Sequence, residues 1–230
     1  MAYFPFFVDI ENQKCLIAGG GVVALRKVEV LLPYGPSITV VSPEIVPELK
    51  LQREKLSAKQ GTAGNLIFKE RAFCMEDLSG QDFVVAATDD QELNHQISLA
   101  CWERRIPVNV VDVKEECSFI FPSIVREEDI VIGISSGGKS PTVTQDLKEK
   151  IRRIIPEGYG YLVSQLGAYR DFVKRREADV SRRTVIFKRM VDVGISHGCR
   201  LDDSIVEELI NQVQQEWPEM THEKREDGSR

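Results

Sequence analysis

The fold of this chain is decided by one stretch, Cys15-Leu16-Ile17-Ala18-Gly19-Gly20-Gly21-Val22-Val23-Ala24. A short apolar run, typical of a buried strand, stops at three glycines, and helical character follows. The glycines and Ala24 match G-x-G-x-x-A, which binds a dinucleotide diphosphate when it joins a strand to a helix. Gly19 permits the tight bend, Gly21 lets the diphosphate approach the backbone, and Ala24 allows the helix to pack closely on the strand. We call residues 19–24 the nucleotide turn.

The pattern on either side of the nucleotide turn predicts a parallel sheet covered by helices. Helical character over residues 22–32 leads to the β-branched run 38–41, which completes a strand–helix–strand unit. Further apolar runs at 66–68, 83–87 and 108–111 alternate with helical stretches at about 47–59 and 91–104. The sequence therefore predicts an α/β fold with a five-stranded, Rossmann-like parallel sheet.

The alternation of strands and helices ends after Asp112. Three short β runs follow at 119–121, 124–125 and 130–134, with no helix between them. Beyond them the chain is helical, and Val143, Leu147, Ile151 and Ile154 fall on one face of the first helix. Later helices are predicted at about 161–178, 180–193 and 202–217. We expect a nucleotide-binding domain over 1–112, a small β-containing unit over 113–140, a helical domain over 141–218, and a disordered tail over 219–230.

The nucleotide turn and the end of the second strand together predict the cofactor contacts. Free N–H groups at the start of a helix bind a diphosphate, which assigns this role to Gly19, Gly20, Gly21, Val22 and Val23. Ser42 stands where an acid usually binds the ribose hydroxyls. The first cation after that strand is Lys50, so no residue is placed to bind a 2′-phosphate. This favours NAD over NADP, with the adenosine near Ser42, Pro43 and Glu44.

Polar residues also follow the fourth and fifth strands, where an open parallel sheet binds its ligands. The fourth strand leads into Thr88-Asp89-Asp90, so Thr88 is a predicted cofactor contact. One of the two aspartates is better explained as the N-cap of the next helix. Asp112 follows the fifth strand and could accept a proton from a substrate. It could equally be a turn aspartate.

A second glycine-containing segment, Ser135-Ser136-Gly137-Gly138-Lys139-Ser140-Pro141, precedes the first helix of the C-terminal half. We call it the glycine–lysine loop. Ser140 suits the N-cap and Pro141 the first helical position. Exposed N–H groups beside Lys139 would bind an anion, so Ser136, Gly137, Gly138, Lys139 and Ser140 are predicted substrate contacts. The other interpretation is a simple link into a capped helix.

Charge is distributed unevenly along the chain. The net charge is −6, which argues against nucleic-acid binding. Residues 151–190, however, carry ten lysines and arginines against four acids, a local charge of +6. That stretch is either a set of solvated helix faces or a basic wall that faces an anionic ligand.

The cysteines and histidines indicate neither a disulfide framework nor a resident metal site. Five cysteines and three histidines lie far apart, without a C-x-x-C pair. The first ten residues lack the basic region of a signal peptide, and no apolar run is long enough for a membrane span. We therefore expect a cytoplasmic protein with no membrane partner.

Taken together, these segments resemble precorrin-2 dehydrogenase, the dehydrogenase and ferrochelatase part of sirohaem synthases. The resemblance covers roughly residues 3–155 and depends on the order and spacing of the whole set. Its parts are Phe4-Pro5 with Phe7-Val8, the nucleotide turn with Arg26-Lys27, Val41-Ser42-Pro43, Ala86-Ala87-Thr88-Asp89-Asp90 with Asn94, Asn109-Val110-Val111-Asp112, Phe119-Ile120-Phe121-Pro122, and the glycine–lysine loop.

The resemblance implies NAD-dependent oxidation of precorrin-2 to sirohydrochlorin and, in some members, insertion of Fe²⁺ to give sirohaem. It implies a homodimer, and the family's catalytic aspartate falls on Asp112. Because the chain stops at 230 residues, the methyltransferase domain of fused enzymes is expected to be absent. Precorrin-2 carries eight carboxylates, which the basic stretch and the glycine–lysine loop would suit. Unpaired strand edges in 113–140 also favour a dimer contact there.

Two other functions remain open at this point. A nucleotide-binding regulatory or sensor module would use the same glycine turn without catalysis, although such modules usually carry an acid where Ser42 stands. A general small-substrate NAD dehydrogenase would need a Ser/Tyr/Lys or histidine proton relay. No such relay can be placed in this sequence.

Overall fold

The computed structural model describes residues 3–58 and 65–217, which form two compact units, Met1–Phe121 and Pro122–Arg230. The predicted tail and the end of the predicted helix at residue 59 lie outside the described residues. None of the helices in the described ranges combines the length and apolarity needed to cross a membrane.

The first unit is the predicted parallel sheet. Five strands and three helices alternate, and the strand order is β3-β2-β1-β4-β5, with every pair parallel. This order confirms the Rossmann-like prediction. The elements are β1 (Lys14–Ala18), α1 (Val22–Leu31), β2 (Ser37–Val41), α2 (Pro47–Ala58), β3 (Asn65–Lys69), β4 (Phe83–Ala86), α3 (Gln91–Arg104) and β5 (Val108–Val110).

Both faces of this sheet are buried, which explains why its strands are almost continuously apolar. Alternate residues along β1 enter two different cores: Cys15 and Ile17 join one, and Leu16 and Ala18 join the other. Ala24 and Val28 of α1 pack into the first core, whereas Ile97 and Cys101 of α3 pack into the second. Because β1, β4 and β5 are paired in parallel, their carboxyl ends lie at the same edge of the sheet.

The second unit contains an antiparallel hairpin and four helices. The hairpin joins β6 (Ser123–Glu127) to β7 (Ile130–Ile134), and α4 (Pro141–Ile154) packs against it. A separate core lies among α5 (Tyr159–Arg176), α6 (Val180–Ser196) and α7 (Asp203–Glu216), with Val173, Ile186, Met190, Val206 and Ile210 buried.

Two details of the sequence interpretation differ from the structure. Residues 119–121 form no strand: the Phe119 ring packs against Phe83 and Phe121, and the Phe119 carbonyl accepts a hydrogen bond from Asn109. These contacts make the segment part of the first core. The division between the two units consequently falls after Phe121 rather than after Asp112. The hairpin belongs to the same unit as the helices.

The apolar face predicted on α4 exists but is largely exposed in the single chain. Val143, Leu147 and Ile154 are 52%, 41% and 76% exposed, and Thr144 is the buried residue of this helix. Such an amphipathic helix is typical of one that packs against a partner.

Candidate active site

Each of the three positions in the nucleotide turn is occupied by glycine for a different structural reason. Gly19 has φ of +109°, and a Cβ there would lie 2.2 Å from the Ala87 carbonyl oxygen. A Cβ on Gly20 would lie 2.2 Å from the Glu44 carbonyl oxygen. A Cβ on Gly21 would meet no atom within 4 Å. Gly19 and Gly20 are therefore required by the backbone packing, whereas Gly21 leaves open surface at the start of α1.

That open surface has the chemistry of a diphosphate site. Among the described residues no side chain caps the N-terminus of α1, and its first two residues, Val22 and Val23, are exposed. The N–H groups of a first helical turn lack partners within the helix, and the helix dipole is positive there. The turn thus presents donors and positive potential to a bound anion.

The segment after β2 lies against the nucleotide turn, as the sequence predicts for an adenosine site. The Val46 N–H donates a 3.0 Å hydrogen bond to the Gly20 carbonyl, and Ser42 is near enough to Gly20 to contact a Cβ built there. Pro43 and Glu44 are exposed beside it. Ser42, Pro43 and Glu44 are thereby placed next to the three glycines.

Three cations of α2 and of the end of β3 are paired with carboxylates. Lys50 lies 2.9 Å from Glu70, and Lys69 lies 3.0 Å from Asp77. Arg71 makes two hydrogen bonds to the same Asp77 carboxylate. The sequence pattern indicated only Lys50 as the first cation after the second strand. Lys69 and Arg71 were missed because the residues that follow β3 come together with β2 only in the folded sheet.

The Asp77 cluster yields a stability prediction. The Asp77 side chain is 2% exposed, and its hydrogen bonds from Arg71, and then from Lys69, hold its pKa well below the usual range. We expect Asp77→Asn to lower the free energy of unfolding at pH 7 by about 2–3 kcal/mol, below the full cost of breaking a buried pair because both cations are half-exposed. Chemical denaturation would measure this loss.

The pH dependence follows from the lowered pKa. The stabilising contribution is complete above the unfolded-state pKa of about 4 and disappears as the pH falls through the folded-state value. The wild type and Asp77→Asn should therefore converge in stability at strongly acidic pH. Asp146→Asn, which breaks an exposed pair with Lys150, serves as the control and should cost no more than about 0.5 kcal/mol. Equal effects of the two substitutions would contradict this interpretation.

Thr88 is held at the end of β4 by a buried asparagine. The Thr88 N–H and hydroxyl donate to Asn94 Oδ1 at 3.2 and 2.7 Å, and Asn94 Nδ2 donates to the Thr88 carbonyl at 3.0 Å. Asp90 accepts the Leu93 N–H at 3.0 Å, which confirms that one of the two aspartates is the N-cap of α3. Thr88 thus has a fixed position beside the nucleotide turn, because Ala87 N–H bonds to the Ala18 carbonyl.

Asp112 lies just beyond β5 with an exposed side chain and φ of +63°. The left-handed conformation is tolerated by aspartate and asparagine better than by most residues. Val111 N–H bonds to the Ala86 carbonyl, which places Asp112 at the same sheet edge as the nucleotide turn, two strand spacings or about 10 Å away.

Cys117 closes the loop that carries Asp112. The Val110 N–H donates to its sulfur at 3.2 Å, and its thiol donates to the Val113 carbonyl at 3.3 Å. Burial raises the pKa of the Cys117 thiol, so it remains a neutral donor. These contacts hold the loop, a role that the sequence pattern did not indicate.

Lys27 is a site residue to which the sequence reasoning assigned no role. Its ammonium nitrogen lies 3.9 Å from the centre of the Phe121 ring, a cation–π contact. Burial lowers the pKa of Lys27, while the charge of the Asp112 carboxylate acts in the opposite direction. Lys27 thus brings a positive charge from α1 toward the Asp112 loop. The feature of the sequence that could have indicated this role is the Arg26-Lys27 pair that follows the nucleotide turn.

The glycine–lysine loop belongs to the second unit, and most of its N–H groups form hydrogen bonds within the loop. The prediction that the two glycines leave their N–H groups exposed is wrong for Gly137, which donates to the Ser135 hydroxyl. The N–H groups of Ser140 and Lys139 are occupied as well, by the hydroxyl and the carbonyl of Ser136. Gly138 and Lys139 remain exposed. Ser140 accepts the Val143 N–H, which confirms the predicted N-cap.

The described residues hold no cluster of three His, Cys, Asp or Glu side chains suited to a metal ion. His95 instead pairs with Glu116 at 2.7 Å, and Ser98 donates to the Glu116 carbonyl. These contacts tie α3 to the short 3₁₀ turn Lys114–Glu116 that follows Asp112.

Comparison with known proteins agrees with this geometry. Residues 6–123, just over half of the chain, match the model of a family described as "Putative NAD(P)-binding". The chain belongs to this NAD(P)-binding family. The matched region contains the nucleotide turn, Ser42–Glu44 segment, Thr88 and Asp112.

Curated relatives of this NAD(P)-binding chain extend the match beyond the first unit. The siroheme synthase of Nitrosospira multiformis is 41% identical over 191 residues, which are 83% of this chain and 40% of that protein. The siroheme synthase of a Psychrobacter species is 35% identical over 229 residues, 100% of this chain and 45% of that protein. The chain therefore spans about two fifths of the length of the curated relatives it matches.

Among solved structures, the precorrin-2 dehydrogenase SirC has a similar fold. The TM-score is 0.68 at 24% identity, covering 93% of this chain and 100% of that one. The likeness includes both units and confirms the fold class, with a parallel sheet, a small antiparallel hairpin and a helical region.

Proposed function

We propose that the chain oxidises precorrin-2 to sirohydrochlorin with NAD⁺ as the hydride acceptor. The observation that carries this proposal is the placement of the nucleotide turn and Asp112 at the carboxyl edge of one parallel sheet. Siroheme synthases at 35–41% identity and the structural similarity to SirC support the choice of substrate. A sensor module would account for the nucleotide turn but gives Asp112 no role.

The chemistry follows from what each group can do. Bound NAD⁺ would accept a hydride from the substrate. The nucleotide turn would hold the diphosphate through the N–H groups of α1, and Thr88 and Asp112 flank the space beyond β4 and β5. The exposed Asp112 carboxylate would take the proton that leaves with the hydride. Lys27 supplies a positive charge beside that carboxylate.

We propose NAD rather than NADP because the cations close to Ser42 are already neutralised. Lys50, Lys69 and Arg71 are all paired with carboxylates, so a 2′-phosphate would have to displace Glu70 or Asp77. Glu44, exposed beside Ser42, would also repel a phosphate. A clear preference for NADP in a binding titration would overturn this choice.

Anaerobic turnover of precorrin-2 tests the function directly. With NAD⁺ and the purified chain, we expect NADH absorbance and the sirohydrochlorin spectrum to rise together. A chain that binds NAD⁺ but produces neither signal would be a sensor module, and the proposal would fail. Supplying sirohydrochlorin and Fe²⁺ as substrates in a second reaction measures whether the chain also inserts iron.

We further propose that the chain is a homodimer whose interface includes the hairpin and α4. Val143, Leu147 and Ile154 form an exposed apolar face on α4, which packs against β6 and β7. Exposed strand edges and apolar faces are usually covered in the native assembly. A second copy would cover both at once.

Sedimentation equilibrium at micromolar concentration should therefore give the mass of two chains. Leu147→Asp should shift the equilibrium toward monomer, because it places a charge within the apolar face. Gln145→Asp, which adds the same charge on the opposite, exposed side of this helix, is the matched control and should leave the dimer intact. A monomeric wild type would refute the proposal.

A cytoplasmic location is part of the same proposal. All five cysteines are free thiols, four of them buried. Free thiols are typical of proteins from reducing compartments. NAD⁺ and the proposed substrate would meet the chain there.

A further inference from the structure

A groove between α5 and α6 combines an apolar floor with a cationic rim. Its volume is about 550 Å³, within the range of small-molecule sites. Its apolar lining residues, which we call the floor, are Val163, Leu166, Val180 and Phe187, and its cations, which we call the rim, are Arg170, Lys174 and Arg183. We call this feature the cation groove.

A glycine in the middle of α5 opens the floor of this groove. Gly167 lines the groove, and a Cβ at this position would meet no atom within 4 Å. Glycine in a helix interior costs about 1 kcal/mol relative to alanine. Because a Cβ would meet no atom, packing among the described residues does not require glycine at this position. The missing side chain lets a flat molecule approach the helix backbone.

The rim cations are available to an anion. Within the described part of the chain, no hydrogen bond or ion pair holds the Arg170 side chain. Lys174 has only a 3.5 Å contact with the exposed Asp171. Arg183 donates from one nitrogen to the Glu177 and Ala178 carbonyls, which fixes its guanidinium beside the groove while other N–H groups stay available.

The charge pattern of the whole chain points the same way. The groove lies within residues 151–190, whose local charge is +6 in a chain of net charge −6. An apolar floor alone would suit many occupants, including a second copy of the chain. Three cations around that floor select a molecule with an apolar face and negative groups at its edge.

We propose that the cation groove binds a flat, amphiphilic polycarboxylate, with the ring face over Gly167 and the carboxylates on Arg170, Lys174 and Arg183. The assignment of this ligand as a tetrapyrrole depends on the proposed function. The groove would then bind a tetrapyrrole through its carboxylate side chains.

Direct binding of uroporphyrin III, a stable tetrapyrrole with eight carboxylates, tests the groove without turnover. The full chain is titrated with this probe while its fluorescence is followed. Arg170→Ala with Lys174→Ala should weaken binding about tenfold or more, because two ion pairs at a solvent-exposed rim are lost, at about threefold or more each. The matched control, Arg175→Ala with Arg176→Ala, removes the same charge from the same helix outside the groove and should change the affinity less than about twofold.

Gly167→Leu tests the groove by shape rather than by charge. The substitution fills the floor and improves helix propensity, so we expect a normally folded chain with about tenfold or more weaker probe binding. Unchanged affinity in both groove variants, or no binding by the wild type, would overturn the proposal. So would a Gly167→Leu chain that loses only its dimer, since the groove would then be a subunit contact.

The same proteins separate this proposal from the proposed function. If the wild type oxidises precorrin-2 and the groove variants bind uroporphyrin III normally, the cation groove fails and the function stands. If the groove variants lose the probe but the wild type forms no NADH, the binding site stands and the dehydrogenase proposal fails.

Discussion

Asp112→Asn should lower the rate of precorrin-2 oxidation by about 10²–10⁴-fold, the usual contribution of a positioned proton acceptor. The carboxylate is exposed at the carboxyl edge of the sheet, where an open parallel sheet binds its ligand. Asparagine has the same shape but is not a base. It also tolerates φ of +63°, so the loop should keep its conformation. Stopped-assay NADH formation under anaerobic conditions measures the change.

The matched control is Asp89→Asn, which removes another exposed carboxylate that follows the neighbouring strand. This variant should retain the wild-type rate, and both variants should retain NAD⁺ affinity and melting temperature. Wild-type oxidation by Asp112→Asn would make Asp112 a structural turn residue, and substrate alignment against NAD⁺ would then account for most of the rate. Loss of oxidation with retained iron insertion would show that the two reactions use different bases.

Gly21→Val should abolish measurable NAD⁺ binding while the fold persists. A side chain at this position projects into open surface at the start of α1, where the diphosphate would approach. Losing two hydrogen bonds to a charged group, at about 1.5–3 kcal/mol each, corresponds to about 100-fold or more in affinity. Titration calorimetry with NAD⁺ measures the affinity, and thermal unfolding checks the fold.

Gly19→Ala provides the contrast, because its effect should be on folding. Its Cβ would lie 2.2 Å from a backbone carbonyl, and φ of +109° strains any L-residue. We expect this variant to be strongly destabilised or insoluble, whereas Gly21→Val melts near the wild-type temperature. Wild-type NAD⁺ affinity in Gly21→Val would mean that the diphosphate does not bind at this turn.

The parts of the fold that could be predicted are those that depend on neighbours in the sequence. Strand, turn and helix follow from apolar periodicity and glycine position, so the five-strand alternation was confirmed. Helix caps are local as well: Asp90 and Ser140 bond to N–H groups three residues ahead. The apolar spacing of α4 likewise predicted its amphipathic face, although not what covers that face.

The segments that were misjudged depend on contacts between distant residues. The run Phe119-Ile120-Phe121 has strand composition, yet Phe119 is fixed by Phe83 and Asn109 rather than by a neighbouring strand. The amides of the glycine–lysine loop were expected to face an anion. Short-range bonds to Ser135 and Ser136 occupy three of them instead. Composition alone does not distinguish a strand from a segment packed in the core, or an amide that binds an anion from one that bonds to a nearby serine. The same residues are compatible with either.

The sequence by itself determined the nucleotide turn, the alternation of strands and helices and the position of Asp112 at a strand end, since each follows from local backbone preferences. Only the tertiary structure decided which charges remain available. It pairs Lys69 and Arg71 with the buried Asp77, places Lys27 on the Phe121 ring, and leaves Arg170 beside an open groove. The physical reason is that a charge is neutralised or exposed by groups that folding brings within a few ångströms, at separations along the chain that no local pattern records.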